Sequence, residues 1–485
     1  MVDKRMLQKL SRVYVTASAG TEAREHYSRR RREHLAAAEF PWVFHGLERE
    51  PGGELPYLMS GVRVFQEPSV MYLTGLNQTG ASLVLDPGAP RTARETLFLP
   101  WKDPAKEFWD GIRLGLLPPG GREARANLVF LRELLGIRDI RPAEELPAFL
   151  HALGKRNRRM GVFHHSYPGG KSLRDDPTAA FARRVGSLLR DTKCRVESIA
   201  SEHYGLRLPL DDWQKRECKL AQDATRDAFL ELLPQLPGLR SEHEIAGVLE
   251  GAMLRRTAWG LAFPTICAAG ANAGTLHYMK NDEPVEKGSM VLLDFGARSA
   301  TMHADLSRTI PANGTFDPLQ RLLYQAVLDT QAHAESLVKP GITIRELNRE
   351  VWQRLEDILE ERFVSRGGTM HRPYVEGALK TLPNKAKAHP RQPHGLSHLM
   401  GEQEHDGDPF RIYQDQPLRE GLMISNEPGL YGTFKIRLEG RTWTRSLGIR
   451  IEDDLVVSGR GCKNLSKSIP KQPDELERLI RGEKP

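Results

Sequence analysis

Residues 289–314 read SMVLLDFGARSATMHADLSRTIPANG. Two runs rich in β-formers, 289–296 and 304–310, flank a short break, the pattern of an antiparallel hairpin. A turn centred on Ser299-Ala300 puts Asp294 directly opposite Asp305. Opposed side chains share one face of the ladder with Cβ atoms about 4.5–5.5 Å apart. Two like charges so placed repel, and the cost rises as they are buried. A shared proton, an arginine or a cation must offset it.

Either aspartate alone reads as a turn or surface residue. The pair gains meaning because other ligand types follow it. Glu427 stands in an apolar run before Pro428-Gly429, an unsuitable place for a carboxylate without a partner. Glu452 lies in the strand-like GIRIEDDLVV, where a period of two puts Ile449 and Ile451 on one face and Arg450, Glu452 and Asp454 on the other. HGLSHLMGEQEHD supplies His394, His398 and His405 within twelve residues. The zinc-protease helix H-E-x-x-H is excluded, because Gly395 occupies the position of its glutamate. The rival arrangement is a surface ion-pair network of these carboxylates with Arg308 and Arg450.

Working outward, the 485 residues correspond to about two to four domains. Hydrophobic residues make up 39% of the chain, and with 43 glycines the apolar fraction is that of an ordinary folded protein. No stretch approaches the ~18–20 apolar residues of a membrane helix, so a soluble protein without a membrane partner is expected. Basic residues exceed acidic ones by 70 to 63, for a net charge of +7. The densest basic run, Arg29 to Arg32, sits among Glu25, Glu33 and His34 and reads as a solvated helix face. No basic stripe interleaved with aromatics is present, which argues against nucleic acid as a partner. The four cysteines show no C-x-x-C spacing and are too few for a disulfide framework. The N-terminus is basic but lacks an apolar core segment, so no secretory signal is read and the cytoplasm is the expected compartment.

From residue 24 to 195 short β-like runs (MYLTGL at 71–76, ASLVLDP at 81–87, ETLFLPW at 95–101) alternate with helical stretches at 130–137 and 142–153. That alternation predicts an α/β layer. HHSYPGGKSLRDDP, between about 165 and 178, reads as a loop, and weak periodicity over 196–212 marks a linker. The second half has helices at 210–236, 241–260, 318–338 and 343–363, the second opened by a capping box of Ser241 and Glu244. Residues 365–393 read as an irregular loop, and strands return at 421–431 and 447–457. Helices followed by antiparallel-looking strands predict an α+β catalytic domain.

Taken in order, HY at 277–278, LLDFG with ADLSRTIPANG, HGLSH, EPGLY and GIRIEDD resemble aminopeptidase P. That family belongs to the creatinase/prolidase/methionine aminopeptidase superfamily, whose catalytic domain has the "pita-bread" fold. The similarity runs in register from about residue 24 to 480 and includes MYLTGLNQTGASLVL and NLSKSIPKQPDELERLI. It implies an N-terminal extension (1–23), an α/β N-terminal domain (24–195), a linker (196–212), an α+β pita-bread metallopeptidase domain (213–475) and a tail (476–485).

The resemblance also implies two divalent metal ions, Mn²⁺ first, with Co²⁺, Zn²⁺ or Fe²⁺ as alternatives. Asp294 would bind one ion and Asp305 would bridge both. His398, Glu427 and Glu452 would complete the shells. Four carboxylates and one imidazole are mostly hard ligands that suit such ions, and two dications would neutralise the four charges. The implied reaction releases the N-terminal residue from short peptides with proline second, by attack of a hydroxide shared by the two metals. Glu427 would move the proton, His405 would donate to the oxyanion, His277 and His394 would contact substrate, and Arg450 would orient a carboxylate or meet substrate. Trp109 matches a family aromatic on the substrate side, and similar enzymes are commonly dimers or tetramers.

Three positions depart from the family pattern. Glu404 precedes His405 where an apolar residue is usual, Asn426 replaces an apolar residue before Glu427, and Ser69 stands where an aspartate often meets the substrate amine. The competing readings are a prolidase restricted to Xaa-Pro dipeptides, a metal-free binding protein, and creatine hydrolysis. The complete ligand set argues against the last two.

Overall fold

The computed structural model describes residues 9–10, 13–15, 23–48, 66–165, 176–373 and 388–483. It divides into two compact units, Met1–Arg207 with Asp408–Phe410, and Leu208–Gly407 with Arg411–Pro485.

The first unit is built on a six-stranded sheet ordered Asp139–Pro142, Glu95–Leu99, Ser82–Leu85, Trp42–His45, Arg159–Val162 and Arg195–Ser198. Ser82–Leu85 runs antiparallel to both neighbours, and the remaining pairs are parallel. Leu146, Leu150 and Leu153, at helical spacing on Leu146–Arg156, pack with Phe181 and Val185 of Pro177–Leu188 against Val43, Val84, Phe98 and Val162. An α/β layer was the expectation, and the alternation of short strands with helices produces it.

Four details differ from the sequence reading. MYLTGL is helical, not extended: Pro68–Thr74 is capped by Glu67, which accepts from the Ser69 and Val70 amides, and Gly75 ends it in the left-handed region. A short apolar run cannot be assigned by periodicity alone. The arginine run is only partly solvated. Arg31 is fully buried against Glu95 and the Leu73 and Leu135 carbonyls, while Arg30 donates to Tyr72 O and lies over the Tyr72 ring. Residues 196–212 are no linker, since they complete the edge strand Arg195–Ser198 and form helix Ala200–Arg207 with buried His203 and Tyr204. Their polar residues fill buried positions, which hides the period. Of the extension, Val13 and Val15 are tied down, the Val15 amide donating to Gly75 O and the Asn77 amide to Val13 O.

Ser69 is buried, its hydroxyl donating to Glu67 Oε1 at 3.1 Å. Trp109 is 82% exposed and lies edge-on to Phe108. Most of the loop read at 165–178 lies outside the described residues.

The second unit carries helices Asp212–Leu232, Glu242–Arg256, Pro318–Leu337 and Ile344–Arg362, as the sequence periodicity predicts. Pro318–Leu337 and Ile344–Arg362 open with complete capping boxes. At Ser241 only half the box forms. Its hydroxyl accepts from the Glu244 amide, while the Glu244 carboxylate turns to the Arg240 amide. Four antiparallel sheets are described: Leu306–Pro311 with Met290–Phe295 and Ile266–Ala269, Arg298–Ser299 with Met302–His303, Thr369–His371 with Gly429–Leu438 and Arg441–Arg450, and Leu399–Met400 with Met423–Asn426, Asp453–Ser458 and Gly461–Asn464. Within 365–393, residues 374–387 lie outside the described set, and Thr369–His371 is a strand rather than loop. The chain from 476 onward is no detached tail either. Helix Pro473–Ile480 buries Leu476, Leu479 and Ile480 in the main core.

The hairpin forms in a different register from the one expected. Asp294 faces Ser307, and Ser299 faces Met302 across a two-residue turn at Ala300-Thr301. Ala300 adopts φ 50°, a left-handed turn that no glycine or asparagine advertises. Moving the turn centre by one residue shifts pairing by two, so Asp294 and Asp305 are offset rather than opposed. Gly296 is required here, because a Cβ would lie 1.7 Å from the Ala304 carbonyl oxygen.

GIRIEDDLVV is likewise two strands, Arg441–Arg450 and Asp453–Ser458, broken at Ile451-Glu452. Arg308 holds the break. Its guanidinium donates to the Ser307, Glu452, Ile469 and Pro470 carbonyls and pairs with Asp453 at 2.8 Å, both side chains being fully buried. Arg308 and Arg450 are therefore interior residues, not members of a surface network. Removing one partner of such a pair costs about 3–5 kcal/mol. Arg308→Met is expected to lower the unfolding free energy by about that amount, read from the midpoint of a denaturant titration.

Candidate metal centre

Each candidate ligand is placed by a different element of the second unit. Asp294 projects from Met290–Phe295, and Asp305 precedes Leu306–Pro311 with its amide donating to Asp454 Oδ2 at 3.0 Å. Glu427 follows Met423–Asn426, its amide bonded to Leu396 O at 3.0 Å. Glu452 sits in the strand break, its amide bonded to Ser307 O at 3.0 Å. His398 lies just before Leu399–Met400, its carbonyl accepting from the Ser425 amide and its amide donating to Ser425 Oγ, each at 3.1 Å. All five line one cavity of about 430 Å³, together with His277, His394, Glu404, His405, Arg411 and Arg450.

Ligand atoms of Asp305, His398 and Glu452 lie within 4.8 Å of one another, and all three side chains are buried. His398 Nδ1 meets the Leu399 carbonyl at 3.2 Å. A carbonyl only accepts, so Nδ1 carries the proton and Nε2 presents a lone pair. That lone pair faces Asp305 Oδ2 at 3.4 Å and Glu427 Oε1 at 3.7 Å. Burial and the neighbouring His405 hold the His398 pKa down at about 3, so the ring is neutral. A lone pair aimed at two carboxylates calls for a cation between them. Asp294 Oδ1 is buried without a hydrogen-bond partner, which is a further open ligand position. The residues fit a divalent metal centre.

Electrostatics agree. Burial, then Glu452 and Asp294, raise the Asp305 pKa well above the carboxylate range. Burial, then Glu427 and Asp294, do the same to Glu452. Glu427 is pushed up to about 8 by burial, although Arg450 opposes the shift. Arg450 is buried, paired through Nη2 with Asp294 Oδ2, and lies 4.0 Å from Glu452 Oε2. Its Nε donates to Ser307 Oγ at 2.7 Å, and that hydroxyl donates to Glu452 Oε2 at 2.8 Å.

The histidines fall into different settings. His394 has both ring nitrogens engaged, with Nδ1 on Gly395 O at 2.7 Å and Nε2 on the Tyr431 hydroxyl at 2.9 Å. Arg450 Nη1 reaches the same hydroxyl at 3.4 Å. The His405 ring stands edge-on to His398, with centroids 4.1 Å apart. His277 is exposed at the cavity wall. Its neighbour Tyr278 anchors the segment on buried Glu242, which also accepts from the Ala269 and Glu283 amides and from Asn272.

Several of these partners escaped the sequence reading. Tyr431 reads only as the end of EPGLY, and Glu242 only as a first-turn helix residue. Asp454, expected to share a strand face with Glu452, instead orients the Asp305 backbone and accepts from Gln222. Asn426 is buried and donates to Gln331 O at 3.1 Å, which accounts for a polar residue at that position.

The raised carboxyls have a measurable consequence. A carboxyl whose pKa is higher in the folded protein keeps a proton that the unfolded chain has released. The Glu427 carboxyl's contribution to the stability of metal-free protein is therefore lost as pH rises from near 4.5, its ordinary value, to about 8. A divalent ion displaces those protons and reverses the loss. The expected result is a melting-temperature gain on adding Mn²⁺ that grows across this range and is greatest at its alkaline end. A metal-independent profile would contradict the assignment.

Comparison with known proteins follows the same division. Residues 215–459 match the model of metallopeptidase family M24, and residues 63–163 match the aminopeptidase P N-terminal domain. The chain is 31% identical over 421 residues to Xaa-Pro aminopeptidase 1 of Streptomyces coelicolor, covering 84% of this chain and 77% of that protein. Xaa-Pro aminopeptidase 3 of Rattus norvegicus is 29% identical over 429 residues, covering 85% and 76%. A variant of Escherichia coli aminopeptidase P superposes with a TM-score of 0.73 at 23% identity, over 95% of this chain and 99% of that one. The fold is that of the pita-bread enzymes with their N-terminal domain. The chain belongs to metallopeptidase family M24 and, within it, to the aminopeptidase P family.

Proposed function

We propose that this chain is a metal-dependent aminopeptidase that releases the N-terminal residue from peptides with proline in the second position. Asp294, Asp305, His398, Glu427 and Glu452 hold two divalent ions, with Mn²⁺ the assigned metal given the four carboxylates. The observation that carries this reading is the neutral His398 lone pair directed at Asp305 and Glu427 inside a buried carboxylate cluster. The protein acts in the cytoplasm on short peptides, as a dimer or tetramer. No helix among the described residues is long and apolar enough to cross a membrane.

When bound, the metal pair supplies Lewis acidity, lowering the pKa of the attacking water and polarising the scissile carbonyl. The remaining work belongs to side chains. Glu427 takes the proton of the nucleophile and returns it to the departing proline nitrogen. Its two oxygens lie near His394 and His398, at 3.7 Å each, so the carboxylate is held at the reacting end of the cavity. His405 donates to the developing oxyanion, and exposed His277 reaches the substrate. Arg450 fixes Asp294 directly and Glu452 through Ser307. Its bond to Tyr431 also sets the His394 ring.

Proline gives the site its selectivity. An Xaa–Pro amide has no N–H to offer, and its ring fixes φ near −65°. Recognition must then come from shape. Phe263, Pro264, Ile266, Leu276 and Met279 form an apolar side of the cavity against which such a ring can pack. A prolidase restricted to dipeptides is the less favoured reading, since the related chains are Xaa-Pro aminopeptidases.

The direct assay compares hydrolysis of a matched Xaa-Pro dipeptide and Xaa-Pro-Yaa tripeptide by metal-reconstituted protein. The tripeptide is expected to be cut at least comparably, releasing free Xaa, whereas dipeptide-only cleavage would make the enzyme a prolidase. Glu427→Gln should lower kcat by at least about 100-fold, the scale of a lost general base.

A further inference from the structure

One carboxylate of the cavity has no place in the ligand set. Glu404 lines the same cavity as Asp294, Asp305, Glu427 and Glu452, yet its only ion pair among the described residues is with His405 Nε2, at 3.7 Å. Its side chain is 31% exposed, so it is reachable from the cavity. The cation acting on it from within the protein is Arg298, which engages His303 instead. Two dications balance the four ligand carboxylates. Glu404 is then a carboxylate outside the ligand set, on a cavity that Arg411 and Arg450 also line and that a peptide must enter.

We propose that Glu404 is a specificity-determining residue that receives a cation of the substrate's first residue. This rests on the aminopeptidase reading above. The location follows from chain geometry. The scissile carbonyl must sit at the ligand cluster, and the α-ammonium nitrogen is only two bonds from that carbon, about 2.5 Å away. Glu404 adjoins His405, whose ring packs on His398, so it stands beside the ligand cluster, within reach of the residue that carries this carbonyl. An ammonium or guanidinium there gains a charge-assisted hydrogen bond in a partly desolvated cavity. The cation is either the α-amine, common to all substrates, or the side chain of a first-position lysine or arginine. A carboxylate at this place also disfavours an acidic first residue by like-charge repulsion.

The test measures kcat and KM for Lys-Pro-Pro, norleucine-Pro-Pro and Glu-Pro-Pro, whose first side chains differ in charge. It compares the metal-loaded wild type with Glu404→Gln and Glu404→Lys, with bound metal quantified in each. If the side chain is read, Glu404→Gln lowers the Lys-to-norleucine ratio of kcat/KM about tenfold, and Glu404→Lys moves the preference toward Glu-Pro-Pro. If the α-amine is read, Glu404→Gln raises KM about tenfold for Lys-Pro-Pro and norleucine-Pro-Pro alike and leaves their ratio unchanged. Either result supports the proposal. Ratios and KM values within twofold of wild type, or a loss confined to kcat or to metal content, would overturn it. Should one variant not fold, the other decides by the same ratios. A wild type that cuts none of the three peptides would instead overturn the aminopeptidase reading, and the proposal with it.

Discussion

The mutual repulsion of Asp294, Asp305, Glu427 and Glu452 is the constraint to which the second unit is built. Two unit charges 4 Å apart interact by about 4 kcal/mol at an effective dielectric near 20. Several such pairs together are comparable to the 5–15 kcal/mol that separates a folded domain from its unfolded state. The carboxylates can stay together only if protons or cations intervene. One cation is built in: Arg450, against Asp294 and, through Ser307, Glu452. It reaches these two and also opposes the upward shift of Glu427. The rest is left to protons in the metal-free protein and to metal when it is present.

Backbone anchoring keeps the cluster in place while its charge changes. The amides of Asp305, Glu427 and Glu452 are bonded to Asp454, Leu396 and Ser307, so the chain positions are set independently of what the carboxylates bind. Arg308 secures the break that carries Glu452 from behind, with its guanidinium donating to four carbonyls and to Asp453. Gly296 lets the Ala304 carbonyl approach where a methyl group could not fit. This is preorganisation at the level of main chain, the arrangement a metal site needs if its ligands are not to relax apart.

Much of this was legible in the residues. The carboxylates and histidines that converge are those singled out by type and spacing, and the helices of the second unit follow their apolar period. What escaped reading has a physical pattern. The hairpin register depended on Ala300 in a left-handed turn, a conformation the sequence does not announce. The split at Ile451-Glu452 depended on Arg308, a residue distant in sequence from the break. Buried polar residues did most of the remaining concealment. Arg30, Arg31, His203 and Tyr204 occupy the interior of the first unit, so the helices that carry them read as solvated or irregular. Positioning residues such as Glu242, Tyr431 and Asp454 show no local signature either, because their partners come from other elements.

Asp294, Asp305, His398, Glu427 and Glu452, on separate elements, are proposed to form one two-metal site. A crystal structure of protein reconstituted with Mn²⁺, with anomalous differences recorded at the manganese edge, tests it most directly. Two peaks per chain within ligand distance of Asp294, Asp305, His398, Glu427 and Glu452 are expected. No peak at these residues, or a single ion held elsewhere in the chain, would contradict it.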